Sequence, residues 1–304
     1  MNDKTEKNER SISSRVLALT YFCNVSPRLF EALLRHFKTL DAIYTAESDE
    51  FLQIEGINED QAEELSCASD HLDAAEVKVQ LLSERDIGIV TRFDDTYCRL
   101  LFELNDPPSL LFYRGRMIAN NQKSVAVVGT RTASSEGIEL TSQLVKKFAS
   151  NKVQVVSSLV GGIDVTAHLT AKSAGGNSFG VLNCGFDNID RAEGVPVAID
   201  IVQSGGMISE YAPGMEAEEN ADSEVNRLIV GMAQAVVVVE AYKDSSRVLD
   251  LLQACSDVGK IVFFMIDPEH GALADKTSLA ETVNCGAIPI EGFDRIGDII
   301  KSLV

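Results

Sequence analysis

Two glycine-containing segments of the chain have the residue types that bind an anion. The first is Gly129-Thr130-Arg131, which comes shortly before Ser134 and Ser135. Glycine allows close backbone approach, and serine caps the start of a helix, where backbone N–H groups attract negative charge. Arg131 adds a cation that can bind a phosphate through two hydrogen bonds. We therefore expect this segment and Ser134 to contact phosphate, although it is neither a GxGxxG loop nor a P-loop.

The second segment is Gly161-Gly162, with Asp164 and His168 shortly after it. Two glycines directly before a helix form another turn whose backbone can approach an anion. Asp164 and His168 are four residues apart and share one face of that helix. They could act as an acid–base pair, or they could hydrogen-bond each other or the loops and hold a pocket rigid. We favour the second interpretation.

Polar residues and glycines also follow the later apolar runs of the chain. We expect Asn226 and Arg227 to contact the same anion or DNA phosphate, and Gly185, Glu210 and Glu240 to support the pocket. Cys184 has no basic residue close in sequence, so a buried structural thiol is a better interpretation than a nucleophile. If the protein were an enzyme, Glu210 or Glu240 would be its general acid or base.

Short, almost wholly apolar runs precede these segments. They are Val125 to Val128, Val153 to Val156, Phe179 to Leu182, Met207 to Ile208, Val236 to Val239 and Ile261 to Met265. Continuous apolarity is typical of strands covered on both faces, and segments of helix length separate most of them. The pattern predicts a doubly wound α/β fold with a mostly parallel sheet. In such a sheet the loops at the carboxyl ends of the strands form the ligand site.

The preceding part of the chain is predicted to be helical. Phe30, Leu33, Leu34 and Phe37 keep the spacing of a core-facing helical stripe. Ser26-Pro27 is a helix start, and Asn58 can cap a long helix that runs through Leu72 and Val79. The turn around Gly56 has the form of a helix-hairpin-helix, and we favour a structural or protein-binding role for this module over DNA binding.

The 304 residues suggest about two domains. We divide the chain into a disordered leader at residues 1–12, a helical module at residues 13–85 and an α/β domain at residues 86–304. No apolar run approaches the ~18 residues of a membrane span, and the polar N-terminus does not resemble a signal peptide. The scattered cysteines and histidines lack the close pairs of a zinc site. We therefore expect a cytoplasmic protein without a metal or cofactor.

The charge balance argues against a general nucleic-acid-binding protein. There are 27 basic and 46 acidic residues, a formal net charge of −19. The window from residue 121 to 175 is locally positive. We assign Lys146, Lys147 and Lys152 in that window to a solvated helix surface, but not Arg131, which directly follows an apolar run. The acidic run at residues 216–222 is either a solvated loop or a contact for a basic partner.

Taken together, these motifs resemble the DprA/Smf family of bacterial DNA-processing proteins. The matching stretches, in family order, are Val125 to Arg131, Val155 to His168, Ala174 to Gly176, Asn183 to Asp187, Ile208 to Gly214, Asn226 to Ala241 and Asn284 to Ile290. The similarity extends upstream to Pro107 and, more loosely, through the helical module. It covers nearly the whole chain.

The resemblance implies a small all-α module, similar to SAM or helix-hairpin-helix domains, joined to an extended Rossmann domain. It further implies a protein that binds single-stranded DNA, forms a homodimer, passes the DNA to a RecA-type recombinase during natural transformation, and catalyses no reaction. Two alternatives remain. One is a nucleotide-binding or nucleotide-hydrolysing protein similar to the LOG-type phosphoribohydrolases, and the other is a degenerate homologue that acts through protein contacts.

This chain departs from the family pattern at positions that bear on DNA binding. Family members usually have arginine where this chain has Gly161, and two arginines where it has Glu224-Val225. Each lost phosphate contact removes favourable counterion release. The cations that remain for DNA are Arg131, Lys172, Arg227 and Lys243. We therefore expect DNA binding to be weaker than is usual in the family, or lost.

Overall fold

The computed structural model describes residues 10–191, 195–217, 221–242, 246–267, 269–274, 284 and 286–303. It divides into two compact units. The first contains the chain up to Tyr97 together with Asn105–Phe112, and the second contains Cys98–Leu104 and the chain from Tyr113 onwards. The polypeptide therefore passes from one unit to the other three times within residues 97–113. Lys243, one of the predicted DNA-binding cations, lies outside the described residues.

The first unit is mostly helical, as the sequence predicts. Its helices are α1 (Ile12–Leu17), α2 (Pro27–Phe37), α3 (Leu40–Thr45), α4 (Ser48–Phe51), α5 (Glu59–Ser66) and α6 (Leu72–Ser83), and strand β1 (Gly88–Thr91) follows them. The Ser26 side chain accepts a hydrogen bond from the backbone N–H of Leu29 and Pro27 is the first residue of α2, so the predicted helix start is confirmed.

The long helix predicted after Asn58 is wrong, because the chain forms two helices there. Asn58 does cap α5, accepting from the Gln61 N–H at 2.9 Å. The helix ends at Ser66, and a 3₁₀ turn (Ala68–His71) separates it from α6. Serine and aspartate side chains compete with the backbone for hydrogen bonds. At this break the Ser66 hydroxyl donates to the Glu63 carbonyl at 2.7 Å.

Strand β2 (Leu110–Gly115) leads into the second unit. The strands that follow are β3 (Ser124–Gly129), β4 (Gln154–Ser158), β5 (Ser178–Val181), β6 (Gly206–Ser209), β7 (Ala235–Glu240), β8 (Ile261–Asp267), β9 (Gly271–Ala272) and β10 (Ile288–Glu291). The main path of the sheet has the order β6-β5-β4-β3-β7-β8-β10, with parallel pairs throughout. Every residue of β3 to β7 is buried, as expected for strands covered on both faces. The predicted doubly wound α/β fold is confirmed.

Helices connect these strands. They are α7 (Ser135–Ser150), α8 (Gly162–Ser173), α9 (Val195–Ser204), α10 (Ala221–Gly231), α11 (Ser246–Asp257) and α12 (Ile296–Ser302). The chain moves outward from β3 to β6 and then returns to place β7 on the other side of β3. The strand order therefore reverses between β3 and β7, and the carboxyl ends of these two strands form the crevice in which such folds bind ligands. Among the described residues, no helix has the length and apolar character needed to cross a bilayer.

The core of the second unit contains the inner faces of α7, α8 and α12 packed on the sheet. Phe148 of α7 is fully buried in this cluster, together with residues of β3 and β7 such as Val127 and Val237. Ile138 of the same helix is 45% exposed. One helix thus has one face in the core and another at the surface.

We expect Phe148→Ala to lower the free energy of unfolding by about 3–5 kcal/mol, because it removes a fully buried ring and leaves a cavity. Ile138→Ala on the same helix should change it by no more than about 0.5 kcal/mol. Urea unfolding of both variants measures the difference. Equal effects would show that the described packing of α7 is incorrect.

Candidate functional site at the carboxyl edge of the sheet

Backbone contacts join the ends of β3 and β7 to the start of α8. Gly129 pairs with Glu240 in the register of the two strands, and the Thr130 N–H donates to the Glu240 carbonyl at 3.0 Å. The Ile163 N–H donates to the Thr130 carbonyl at 3.2 Å. A Cβ on Gly129 would lie 2.6 Å from Cγ1 of Ile163, so only glycine fits there. The two glycine-containing segments predicted from the sequence are therefore in direct contact.

Gly162 is required by this contact. Its φ is +54°, and a Cβ there would lie 2.1 Å from the Thr130 carbonyl oxygen. Gly161, directly before α8, also has a positive φ of 109°. These glycines let the second loop lie against the first, so close packing within the protein is one reason for the Gly-Gly pair that the sequence analysis assigned to anion binding.

The side-chain carboxylate of Glu240 lies at the start of α7. Glu240 is fully buried, and its two side-chain oxygens lie 3.1 and 3.3 Å from the Ser134 N–H that donates to them. The Ser134 hydroxyl accepts from the Gly137 N–H at 3.0 Å, and a Cβ on Gly137 would lie 2.1 Å from Oε2 of Glu240. Glu240 thus lies beside this helix N-terminus, near which the sequence analysis expects an external anion.

Asp164 connects three elements from inside the site. Its buried carboxylate accepts from the Gly129 N–H at 3.3 Å, the Ser158 hydroxyl at 2.5 Å and the Arg247 guanidinium at 2.7 Å. These partners stand at the ends of β3 and β4 and at the start of α11. A buried carboxylate is stable only when it is paired and hydrogen-bonded, and Asp164 has both kinds of partner.

His168 is held by the same loop as Asp164. Its side chain is fully buried, and Nε2 lies 3.0 Å from the Ser158 carbonyl oxygen, so Nε2 carries the proton and donates. Burial lowers the pKa of His168 to about 4, although the Ser158 carbonyl and Asp164 partly oppose that shift. The ring is therefore neutral near pH 7. Within the described part of the chain, His168 and Asp164 each bind Ser158, and no hydrogen bond joins them directly.

The three described cations that were predicted to bind DNA all form ion pairs. Arg131 is 52% exposed and contacts Asp222 at 2.8 Å. Lys172 contacts Asp200 at 2.8 Å. Arg227 is only 15% exposed and is held by Glu210 and, at 3.1 Å, by Glu224. The added acid at position 224 is thus compensated by Arg227, and Arg131 is the most exposed of the three predicted cations that the structure describes.

Asn226 and Gly185 both lie in close contact with the backbone of other segments. Asn226 is buried, and its side-chain amide donates to the Arg247 carbonyl at 2.9 Å, which fixes the start of α11. A Cβ on Gly185 would lie 2.0 Å from the Ala212 carbonyl oxygen. Cys184 is buried, and burial raises the pKa of its thiol, which disfavours the reactive thiolate. The buried-thiol interpretation of Cys184 agrees with this position.

The site therefore has a buried interior and an exposed rim. The interior contains Asp164, His168, Asn226 and Glu240, and the rim contains Arg131. The sequence analysis missed Arg247, whose only signal was that a buried aspartate needs a cationic partner. It also missed Asp222 as the partner of Arg131. No group of three His, Cys, Asp or Glu side chains suited to a metal ion occurs among the described residues.

Fold and site together define a Rossmann-type protein with buried charged residues at the point where the strand order reverses. The model of the family described as DNA recombination-mediator protein A matches residues 88–298, and the chain belongs to this family. The resemblance to DprA/Smf proteins is thereby confirmed.

Two relatives agree with this assignment. The chain is 26% identical to Protein Smf of Synechocystis over 291 residues, which cover 90% of this chain and 73% of that protein. It is 32% identical to DNA processing protein DprA of Streptococcus pneumoniae over 170 residues, 56% of this chain and 60% of that protein.

Solved structures show the same fold. The X-ray structure of S. pneumoniae DprA aligns with a TM-score of 0.73 at 22% identity, covering 97% of this chain and 99% of that one. The Helicobacter pylori DNA processing protein A, described for its single-stranded DNA binding mode, aligns with a TM-score of 0.61 at 20% identity. That alignment covers 72% of this chain and 97% of the H. pylori chain. At these identities the likeness concerns the fold.

The buried neutral His168 should make stability depend on pH. The unfolded side chain binds a proton near pH 6.5, but the folded one only near pH 4. The stabilisation that comes from neutral His168 is therefore fully present above pH 6.5. The free energy of unfolding decreases by about 3 kcal/mol as the pH falls from 6.5 to 4, and this group causes no further change below pH 4. His168→Gln retains a donor for Ser158 but cannot titrate, so its urea stability should fall less over this interval. Parallel pH profiles would contradict this.

Gly162 and Gly175 offer a matched test of the loop contact. Both have positive φ, 54° and 68°, but a Cβ on Gly175 would meet nothing within 4 Å. Gly175→Ala should therefore cost about 1–2 kcal/mol for the left-handed backbone alone. Gly162→Ala should cost at least about 2 kcal/mol more, because Thr130 must move. Thermal unfolding of the two variants measures the difference, and equal losses would refute the contact.

Proposed function

We propose that this protein binds single-stranded DNA and acts as a recombination mediator without catalysing a reaction. It works as a cytoplasmic homodimer that protects incoming DNA and delivers it to a RecA-type recombinase during natural transformation. Membership of the DNA recombination-mediator protein A family supports this proposal, as does the described single-stranded DNA binding of the H. pylori relative. Light scattering on the purified chain tests the dimer.

The observation that best supports the proposal is the division between interior and rim. The ionisable groups of the interior, Asp164, His168 and Glu240, are fully buried and hydrogen-bonded to the protein. A general acid or base must reach the substrate and have a pKa near the working pH. His168, with a pKa of about 4, meets neither condition. The interior therefore shapes the loops, and the exposed Arg131 remains to meet a ligand.

Phosphate contacts carry no base information, so we expect little sequence preference. Aromatic side chains that could stack on bases are sparse near the site, and the chain has no tryptophan. Affinity then depends on a few cations in a protein of net charge −19. Such binding weakens strongly as salt is added.

Arg131→Ala should weaken binding of oligo-dT. A hydrogen bond to a charged group contributes about 1.5–3 kcal/mol, and release of the exposed Asp222 pair offsets up to about 1 kcal/mol. We therefore expect a loss of about 0.5–3 kcal/mol, and a salt slope smaller by about 0.7. Arg131→Lys should recover only part of the affinity, because lysine lacks the bidentate fork. Fluorescence anisotropy at two salt concentrations measures both effects.

The matched control is Lys147→Ala, which removes one positive charge from the last turn of α7, far from the crevice. It should leave binding nearly unchanged. Equal losses for Lys147→Ala and Arg131→Ala would mean that the protein binds DNA through general surface charge. Tight binding of a mononucleotide without binding of oligo-dT would replace the proposal by a nucleotide-binding function, and binding of neither would favour action through protein contacts.

A further inference from the structure

The Arg131 guanidinium, which the proposed function needs for phosphate, already binds an anion of the same chain. Its Nη2 lies 2.8 Å from Oδ2 of Asp222, in the first turn of α10. The two side chains are 52% and 39% exposed. A carboxylate and a phosphodiester each carry one negative charge and accept from the same guanidinium fork. Phosphate and Asp222 therefore compete for one group.

Arg227, in contrast, forms ion pairs that cannot readily be exchanged for a pair with phosphate. Two carboxylates, Glu210 and Glu224, hold it, and Arg227 and Glu210 are only 15% and 19% exposed. Removing a partly buried charge from its partners costs far more than separating an exposed pair. Arg227 is thus fixed by the fold, whereas Arg131 can change partner at small cost.

We propose that Asp222 is an internal competitor that occupies the phosphate position at Arg131 until nucleic acid displaces it. The inference rests on the proposed function and names a regulatory contact within that site. A single phosphate that replaces Asp222 exchanges one ion pair for another and gains little. An oligonucleotide also releases counterions at each further contact, so it can displace the carboxylate. Asp222 thereby sets a threshold that favours polyanions over isolated phosphates.

The test is oligo-dT binding by anisotropy at low salt, with four single variants and one double variant. Asp222→Asn keeps the shape of the side chain and removes its charge, and should tighten binding about two- to five-fold, the range that an exposed ion pair can oppose. Glu224→Gln, two residues away on the same helix, should gain clearly less because Glu210 still holds Arg227. Asp257→Asn, at the far end of α11, should show no gain.

The competitor model also predicts that the gain requires Arg131. In a double-mutant cycle, Asp222→Asn combined with Arg131→Ala should bind as weakly as Arg131→Ala alone. A gain that persists without Arg131, or equal gains for Asp222→Asn and Glu224→Gln, would overturn the inference in favour of general repulsion. Thermal unfolding of each variant confirms that it is folded.

The outcomes separate this inference from the proposed function. If the unmodified protein binds oligo-dT and Asp222→Asn binds no more tightly, the competitor is refuted and the function remains. If only Asp222→Asn binds, the competitor is supported, and the unmodified protein is not a DNA-binding protein under those conditions. If neither binds, both ideas fail.

Discussion

The buried carboxylate of Asp164 is the interaction on which the site depends. It joins the Gly129 N–H, the Ser158 hydroxyl and the Arg247 guanidinium, and so ties together two strand ends and a helix start. Loss of one partner of such a pair leaves an unpaired charge in the interior, at a typical cost of about 3–5 kcal/mol. The positions of the loops are therefore coupled, and the shape of the crevice follows from one charge and its three partners.

The same principle extends to the rest of the crevice. The Ser134 N–H at the α7 terminus donates to Glu240, the Ile163 N–H after the Gly-Gly turn donates to the Thr130 carbonyl, and Arg227 pairs with two glutamates. Features that bind external ligands in many Rossmann-type proteins are here satisfied by the chain itself. Among the described residues the exposed rim contains Arg131, which pairs with Asp222. In the function that we propose, phosphate therefore competes with an acid of the chain for this cation.

Much of this fold is predictable from the sequence, since it depends on local patterns. The apolar runs of β3 to β8 mark buried strands because each is covered on both faces, and loop residues such as Asp164 and Glu240 could be assigned to one sheet edge. The ion-pair partners of the site residues could not be predicted in this way. Arg247 is 83 residues from Asp164, and Asp222 is 91 residues from Arg131. Such pairs are set by tertiary packing, and no periodicity records them. The break after Ser66 was missed because an apolar stripe continues across it.

The path of the chain between its two units has a consequence for how the protein can be divided. Residues Cys98–Leu104 belong to the α/β unit, although their neighbours on both sides belong to the helical one. Within the α/β unit, Leu101 and Leu104 pack on Gly231, where a Cβ would lie 2.7 Å from Cδ1 of Leu104. A fragment that begins at residue 113 would lack Cys98–Leu104 and expose the apolar surface on which Leu101 and Leu104 pack. No single cut separates the two units, because the α/β unit is complete only when Cys98–Leu104, which precede the rest of it in sequence, pack into its core.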